Sequence, residues 1–407
     1  MLRSYKTEIN PTEEQKTQIK QAIGTCRFLY NQFIAHNREL YEKFKNGLIP
    51  KGEKHFSTGY DFDKFVNNTL SKQAGMEWIK KCGSKARKKA IMNAHNAFQK
   101  FFAGKAGYPK FKKKSEQDVS IYFPKNNHGD WTVVRHMVKI PTLGMMRLKE
   151  FGYIPTNGKV ISGTVSQNAG KFFVSVLMDV NWTTKKEKEA LEKPFSDGIG
   201  IDLGVKELAV MSDGPFVRNI NKSPRARKIR KKLHRVQRAL SRKEEKLKKD
   251  REEAKKNGVT LEKRAHKNLD KNILQFQKLN QRLVNMRVDH ENQMVAMVGK
   301  QKPRFVTIED LNVRGMMKNR HLARAIAEQR LHSLREKLTA KAKRLGFELR
   351  VVGRFYPSSK LCSCCGHIKK DLKLKDRTYV CPSCGLEIDR DLNASINLRD
   401  AKEYTVA

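Results

Sequence analysis

Four cysteines near the C-terminus impose the strongest constraint on the fold of this chain. Cys362 and Cys365 form one C-x-x-C pair, and Cys381 and Cys384 form a second pair after fifteen intervening residues. Two such pairs at this spacing are typical of a structural Zn²⁺ site, in which four thiolates surround one ion tetrahedrally. The spacing therefore predicts a zinc ribbon with a closed metal site and no open coordination position.

The first of these pairs leaves one alternative open. Cys364 could compete as a ligand, together with His367. Gly366 favours the assignment to the outer cysteines, because it then occupies the usual position in the metal-binding turn. The two remaining cysteines, Cys26 and Cys82, stand alone, and we expect them to be ordinary buried thiols.

The charge balance indicates a polyanionic partner. Lys and Arg number 85 against 42 Asp and Glu, which gives a net charge of +43. A compact chain with this excess would repel itself unless phosphates neutralise it. No apolar run approaches the roughly 18 residues of a membrane-spanning helix, and the start has no signal-peptide pattern. We therefore expect no membrane association and a reducing, intracellular location, where paired cysteines bind zinc instead of forming disulfides.

In the N-terminal half, the pattern of apolar residues changes twice. Residues 1–10 alternate as a strand does, and the following hundred residues are mostly helical and basic, ending at Gly104, Gly107 and Pro109. From about 115 to 183, period-two alternation broken by Gly, Asn and Pro predicts a small antiparallel barrel. We expect the first strand to belong to this barrel, with the helical block inserted between its strands.

The C-terminal half mixes strands and long helices. "GIGID" and "FVTIE" read as buried strands, "FELRVVG" as a further strand, and residues 321–346 and "NASINLRDAK" as helices. Between the first two strands, apolar residues at 4-3-4 and 3-4-3 spacing predict a long helical hairpin rich in Lys and Arg. It could be a solvated charged hairpin or a nucleic-acid contact, and the sequence leaves both readings open.

Three carboxylates stand where a metal-dependent site could form. Asp202 ends the first buried strand, Glu309 ends the second, and Asp391 precedes the last helix. Any one of them could be a turn cap, and alternation places Asp310 on the opposite face from Glu309 without deciding which faces inward. If the three converge, their repulsion requires divalent cations, and two Mg²⁺ ions held by shared carboxylates can hydrolyse a phosphodiester.

At this point the sequence resembles the TnpB family, insertion-sequence RNA-guided nucleases related to type V CRISPR effectors. The resemblance extends over almost the whole chain. It is carried by "INPTEEQKTQIKQAIGTCRFLYN", "AFQKFFAGKAGYPKFKKK", "GIDLGVKELAV", "VTIEDLNVRGM" and "PSSKLCSCCG…YVCPSCG…DRDLNASINL". Chance does not account for the last three motifs in this order.

The resemblance implies an α/β and α+β multidomain protein. It would contain an RNase H-like RuvC nuclease domain with an inserted zinc ribbon, and a wedge β-barrel carrying a helical recognition insert. The expected boundaries are 1–10 for the first wedge strand, 11–112 for the recognition domain, 113–195 for the wedge barrel and linker, 196–355 for the nuclease domain with its basic hairpin at 223–300, 356–388 for the ribbon, and 389–407 for the last nuclease segment.

The resemblance also implies the chemistry. Asp202, Glu309 and Asp391 align with the catalytic carboxylates, with Asp389 the less favoured choice for the third. Family members bind a guide RNA from the transposon end, recognise a short duplex motif beside their target, and cut both DNA strands with one Mg²⁺-dependent site. We expect one protein chain per RNA and a location in the prokaryotic cytoplasm, associated with the nucleoid.

Residues that read the adjacent DNA motif are harder to assign. Lys85, Arg87, Lys89 and Tyr122 fall in places comparable to the family's recognition helices and barrel. A plain solvated basic helix is the alternative for the first three. Two features depart from the family pattern: the extra Cys364, and a long charged stretch at 243–268 whose role the resemblance does not supply.

Other functions stay open on the sequence alone. A miniature type V CRISPR effector differs from a transposon nuclease mainly in its genomic neighbourhood, although the small size favours the latter. A guided DNA-binding regulator would not need the three carboxylates, which are all present. A strand-transfer transposase would bind paired DNA ends and join them.

Overall fold

The computed structural model describes residues 2–50, 52–113, 119–125, 127, 129–180, 192, 194–259, 267–373 and 375–407. The chain forms two compact units, Met1–Trp182 and Thr183–Ala407. None of the helices in the described ranges has the length and apolar character needed to cross a membrane.

In its described residues, the N-terminal unit combines an antiparallel sheet with three α-helices. Its strands are β1 (Leu2–Asn10), β2 (Val119–Pro124), β3 (Thr132–Val133), β4 (Met137–Ile140), β5 (Gly144–Leu148), β6 (Lys159–Asn168) and β7 (Lys171–Asp179), in the spatial order β2-β6-β7-β1-β5-β4-β3. β1 pairs with both β5 and β7, so the helices are inserted after a central strand. In the part of the chain that the structure describes, β2 and β3 end this order and do not pair with each other.

The inserted helices are α1 (Glu13–Lys45), α2 (Gly59–Asn68) and α3 (Ser84–Phe102). Thr12 begins α1 with a capping box: its hydroxyl accepts a hydrogen bond from the backbone N–H of Gln15, whose side chain bonds back. Two 3₁₀ helices lie between α2 and α3, so the predicted helical segment consists of several separate elements. α1 contributes Ile19 and Ile23 to the core over the sheet. Further along α1, Leu29 and Phe33 pack with α2 and α3.

The C-terminal unit has a mixed six-stranded sheet. Its strands are β8 (Ile199–Leu203), β9 (Glu207–Met211), β10 (Phe216–Arg218), β11 (Phe305–Glu309), β12 (Glu348–Val352) and β15 (Thr405–Val406), in the order β10-β9-β8-β11-β12-β15. β11 pairs in parallel with β8 and β12. A separate two-stranded sheet consists of β13 (Thr378–Val380) and β14 (Glu387–Asp389).

Six helices accompany these strands in the described ranges. They are α4 (Pro224–Lys256), α5 (Lys267–Gln301), α6 (Val313–Met316), α7 (Ala323–Gln329), α8 (Leu331–Leu345) and α9 (Arg390–Arg399). Ile229 and Leu233 of α4 pack against Leu279 and Leu283 of α5, at positions given by the apolar spacing. Residues 260–266 lie outside the described ranges, so the expected hairpin turn and part of the stretch 243–268 are not described.

The single helix predicted for 321–346 is wrong, because the chain breaks between α7 and α8. Arg330 at the break has a φ of 55°, in the left-handed region. Its Nε donates to Oε1 of Glu291 at 2.6 Å, and Lys337 Nζ lies 2.7 Å from Oε2 of the same carboxylate. Glu291 is only 2% exposed, so it needs both cations. This tertiary ion pair overrides the local helical pattern.

Candidate active site and metal centre

Asp202 and Glu309 lie side by side where two neighbouring parallel strands end. The register of β8 and β11 pairs Gly200 with Thr307 and Ile201 with Ile308. The next step along both strands reaches Asp202 and Glu309, and strands in a sheet run about 4.8 Å apart. Parallel pairing therefore brings together two carboxylates that are 107 positions apart in the chain.

Helix α9 brings the third carboxylate to the same place because it packs directly on β8. A Cβ atom built on Gly200 would stand 1.9 Å from the carbonyl oxygen of Ser395 and 2.4 Å from the backbone nitrogen of Arg399. Only glycine permits this approach. Side chains alternate along a strand, so Gly200 and Asp202 share the face that α9 covers. Asp391, in the first turn of α9, lies beside Asp202 for this reason.

Asp389 has a different role from Asp391. Its Oδ1 accepts hydrogen bonds from the backbone N–H groups of Asp391 and Leu392, at 2.9 and 3.0 Å, and it is the N-cap of α9. Asp391 instead carries an ion pair with Arg390, whose Nη2 lies 2.8 Å from Oδ1. The cap fixes where the helix begins and therefore where Asp391 stands.

The electrostatics of the cluster are those of crowded carboxylates. Burial and then the charges of Glu309 and Asp391 raise the pKa of Asp202 to about 7. Burial also raises the pKa of Glu309, against a hydrogen bond from the Ser358 hydroxyl to its Oε1. Without cations, the folded protein therefore resists ionising Asp202 at neutral pH.

Asp310 faces away from this cluster. Its two oxygens accept from Arg335 Nη1 at 2.8 Å and Arg354 Nη2 at 3.2 Å. The pKa of the Asp310 carboxyl is lowered, first by the hydrogen bond from Arg335 and then by the contact with Arg354. Of the two neighbouring acids left open by the sequence, Glu309 is the one beside Asp202.

The four cysteines of the two C-x-x-C pairs form a second cluster. The Sγ atoms of Cys362, Cys365, Cys381 and Cys384 all lie within 4.8 Å of one another. Cys362 and Cys384 are 3.6 Å apart, as are Cys365 and Cys381. Cys364 is exposed and not part of the group. Zn–S bonds of about 2.3 Å in a tetrahedron place sulfurs about 3.8 Å apart, so these thiols fit a zinc ion.

The two halves of this cluster have the same backbone geometry. Gly366 and Gly385, each directly after a C-x-x-C pair, have φ values of 75° and 74°. Each donates its backbone N–H to the carbonyl of the first cysteine in its pair, at 3.0 Å for Cys362 and 3.1 Å for Cys381. Because non-glycine residues rarely adopt this φ, both glycines are required by the turns.

Two buried asparagines of α9 join the cysteine cluster to the carboxylate cluster. Asn393 donates to the carbonyl of Leu361 at 2.7 Å and accepts from the backbone N–H of Ser363 at 3.0 Å. Asn397 donates to the carbonyls of Ser358 and Leu361, at 2.8 and 2.7 Å. The helix that carries Asp391 therefore holds the chain on both sides of the first cysteine. The sequence alone did not single out Asn393 and Asn397, although two asparagines four residues apart occupy one helix face.

The four residues predicted to contact nucleic acid differ in exposure. Lys85 is exposed on α3, whereas Arg87 is buried at 7% exposure. In the described residues, Arg87 Nε and Nη1 have no hydrogen-bond partner. Lys89 Nζ lies 5.3 Å from the ring centroid of Tyr122, and both line a small cleft with Lys112 and other residues.

A basic surface also follows helix α4. A groove along it is lined almost entirely by cations and polar groups: Lys231, His234, Arg235, Gln237, Arg238, Ser241 and Arg242. With side chains of one charge sign in a row, this helix face attracts phosphates.

Both clusters pass a chemical test for metals. The carboxylate cluster offers hard oxygen ligands, which Mg²⁺ prefers, and its unrelieved repulsion is what a divalent cation would cancel. The cysteine cluster offers four soft thiolates, which zinc prefers. Of the described residues, only the cysteines bring three or more ligand atoms within 4.8 Å of one another, so the three carboxylates stand further apart than the ligands of one enclosed ion.

Three family models match the chain in order. A model described as "Helix-turn-helix domain" matches residues 1–46, "Probable transposase" matches 181–320, and "Cas12f1-like, TNB domain" matches 332–398. Over the described part of the first match, the structure has one strand and one long helix.

Relatives match over nearly the whole length. "Putative RNA-guided DNA endonuclease InsQ" from Escherichia coli (strain K12) is 27% identical, over 100% of this chain and 94% of its own. A "Putative RNA-guided DNA endonuclease" from Streptomyces pristinaespiralis is 28% identical, over 97% of this chain and 88% of its own.

Solved structures are similar only at a distance. The protein in "Cryo-EM structure of the Cas12f1-sgRNA-target DNA complex" is 17% identical, with a TM-score of 0.34 over 99% of this chain and 100% of that one. A TM-score this low does not establish a shared fold.

Proposed function

Because this chain belongs to the TnpB family, we propose that it is an RNA-guided DNA endonuclease. The observation that carries the proposal is the convergence of Asp202, Glu309 and Asp391 at the C-terminal ends of the central strands β8 and β11. The charges of Glu309 and Asp391 oppose the ionisation of Asp202, which costs stability in the absence of a cation and favours the binding of one. The relatives named as RNA-guided DNA endonucleases support the same reading.

On this proposal each part of the chain has a task. The six-stranded sheet and α9 would be an RNase H-like RuvC nuclease domain, spanning 196–355 and 389–407. Residues 356–388 would be its zinc ribbon. The antiparallel sheet, from 1–10 and 113–195, would be the wedge, with 11–112 as the recognition insert. A central parallel pair with an antiparallel hairpin beside it supports the nuclease assignment.

The three carboxylates would hold two Mg²⁺ ions at the scissile phosphodiester. Bound there, the ions would activate a water molecule and stabilise the leaving oxygen. The protein's own contribution is to fix the ligands. Ser358 holds one oxygen of Glu309, and Arg390 holds one oxygen of Asp391. Asp202, half-buried between them, has to ionise before it can bind a cation.

The zinc ribbon would act as a brace for this site. Cys362, Cys365, Cys381 and Cys384 would bind the ion, and Asn393 and Asn397 tie the bound turn to the helix of Asp391. Loss of the zinc would therefore loosen the carboxylate cluster as well as the ribbon.

Nucleic acid would neutralise the net charge of +43. We propose that the basic face of α4 contacts guide RNA, and that Lys85, Lys89 and Tyr122 contact the duplex beside the target. In such a protein the guide reads sequence by base pairing, while the protein binds phosphates and helix shape. Arg87 stays a weaker candidate, since its side chain is buried.

The test begins with the RNA that co-purifies with protein expressed from its native locus. RNA running from the 3′ end of the gene into flanking DNA is expected, and programmed cleavage of matching DNA in Mg²⁺ should follow. Processed repeat-derived RNA would instead indicate a CRISPR effector. Absence of any discrete RNA, or of any cleavage, would remove the proposal and favour a regulator or a strand-transfer transposase.

A further inference from the structure

Phe355 is the most exposed large hydrophobic side chain in the part of the chain that the structure describes. It is 92% exposed, and the next in order, Leu48, is 72% exposed. No aromatic or cationic partner of its ring is present in the described residues. An isolated hydrophobic residue on a surface is ordinary, so exposure alone assigns nothing. The surroundings of Phe355, in contrast, indicate a role for its side chain.

The loop that carries Phe355 is held firmly on both sides. Arg354 Nη2 donates to Asp310 Oδ2 at 3.2 Å. Tyr356 donates its hydroxyl to the carbonyl of Asn397 at 3.0 Å and packs against the small core of Val352, Leu398 and Ala401. Between these two anchored neighbours, the ring of Phe355 points to solvent from a fixed backbone.

The same loop touches the carboxylate cluster. Ser358 is buried and donates its hydroxyl to Glu309. Arg354 pairs with Asp310, the residue directly after Glu309. The hydrogen bond from Ser358 and the register of β11 with β12, which pairs Glu309 with Val352, place this loop at the end of the sheet where Asp202 and Glu309 stand. Arg354 and Lys360 are exposed on the same loop, where Arg354 also pairs with Asp310 and Lys360 Nζ donates to the carbonyl of Lys370.

An exposed aromatic ring with neighbouring cations is the arrangement that binds single-stranded nucleic acid. Bases stack on the ring, and phosphates pair with the cations. Stacking suits a guided nuclease, because every base has a π face and the cutting site has to accept any sequence.

We propose that Phe355 stacks on a base of the DNA strand being cut and so positions its phosphodiester at Asp202, Glu309 and Asp391. This inference rests on the proposed nuclease function and deepens it. Phe355 is a substrate-positioning residue, which contacts DNA but takes no part in proton or metal chemistry.

The experiment compares Phe355→Ala, Phe355→Trp and Phe355→Leu with a matched control, Phe216→Ala, a 47% exposed phenylalanine on the edge strand of the same unit. Each is loaded with RNA transcribed from the 3′ end of the gene and its flank. Cleavage is timed on DNA with a pre-opened target, under single-turnover conditions. RNA binding and melting temperature are measured in parallel.

We expect Phe355→Ala to slow cleavage about 5- to 150-fold, which is the stacking energy of one base converted at about 1.4 kcal/mol per factor of ten. Phe355→Trp should retain cleavage and Phe355→Leu should not, because leucine keeps the apolar area without a π face. RNA binding and melting should be unchanged throughout, and the control should behave as wild type.

Abasic substrates make the test specific. Removing single bases in turn near the cut should slow the wild type at one position, and the same abasic site should cost Phe355→Ala little more. Equal cleavage by wild type and Phe355→Ala, or abasic penalties that are additive with the substitution, would overturn the inference alone. A wild type that cuts no DNA would remove it together with the proposed function.

Discussion

The cysteine cluster and the carboxylate cluster are two candidate metal sites that the chain builds in opposite ways. The first comes from residues 362–384, and each of its two turns is followed by a glycine, at φ values of 75° and 74°. The second draws one residue each from β8, β11 and α9. A local site can fold around its ion, whereas a dispersed one has to be assembled by the fold first. The fold must therefore bear the repulsion of the carboxylates before any cation relieves it.

The largest expected effect is the loss of cleavage in Asp202→Asn. The substitution removes a ligand charge from the middle of the cluster and keeps the size of the side chain. We expect the cleavage rate to fall by more than about 100-fold, the upper end for residues that only support a metal ligand. RNA binding should persist, because the basic surfaces are untouched. Single-turnover cleavage and filter binding measure the two quantities.

Asp310→Asn is the matched control for that variant. It neutralises the acid next to Glu309 but removes only partly exposed ion pairs with Arg335 and Arg354, worth about 0–1 kcal/mol each. Cleavage should remain far above that of Asp202→Asn, because the pair with Arg354 is only one of the contacts that hold the loop of Phe355. If Asp310→Asn were as inactive as Asp202→Asn, the distinction between the two faces of this strand end would be wrong.

A substitution in the cysteine cluster should change the zinc content and the melting temperature. Cys381→Ser removes one of the four thiolates, so we expect zinc content to fall from about one ion per chain and the C-terminal unit to melt at a lower temperature. Cys364→Ser, an exposed neighbour outside the cluster, should change neither quantity. Elemental analysis measures the zinc content, and calorimetry measures the melting temperature. Equal zinc in wild type and Cys381→Ser would refute the ribbon assignment.

The repulsion among the carboxylates predicts a pH effect on stability. The pKa of Asp202 is raised from 3.8 to about 7. The folded, Mg²⁺-free protein therefore keeps a proton that the unfolded chain has released, and its free energy of unfolding falls as pH rises between those values. At about 1.4 kcal/mol per pKa unit, the loss is up to about 4 kcal/mol.

Asp202→Asn removes this cost. In Mg²⁺-free buffer its melting temperature should exceed that of wild type at pH 8, and the difference should shrink toward pH 4. Added Mg²⁺ should raise the melting temperature of wild type more than that of the variant. Parallel pH profiles for the two proteins would show that burial and repulsion at Asp202 are not what the geometry implies.

The comparison also explains what the sequence could reveal. The metal-binding turns are visible as C-x-x-C-G because every ligand and its glycine lie within a few residues. The carboxylates are visible only as acids at strand ends, and choosing Glu309 over Asp310 required the family resemblance. The parallel register and the close approach of Ser395 to Gly200 then supply the physical reason why Asp202 and Asp391 meet.

Tertiary contacts account for what the sequence reasoning missed. Arg330 breaks a strong helical pattern because buried Glu291, 39 positions earlier, needs its charge. Asn393 and Asn397 look like ordinary polar helix residues until their carbonyl partners around Cys362 are known. The helix break and both asparagine contacts depend on partners far away in the chain, which no local sequence pattern encodes.

The smallest expected effect concerns Ser358, which contacts both Glu309 and the helix that carries Asp391. Its hydroxyl holds Glu309, and its carbonyl accepts from Asn397 on the helix of Asp391. Ser358→Ala keeps the second bond and loses the first, so Glu309 loses orientation while the ribbon stays attached. We expect a 10- to 100-fold slower cleavage, about the range for partners of metal ligands. The Mg²⁺ concentration for half-maximal rate should rise, and zinc content should not change. Ser358→Thr, which retains a hydroxyl, should recover part of the rate. A zinc loss in Ser358→Ala would mean that the two sites are one cooperative structure rather than a braced pair.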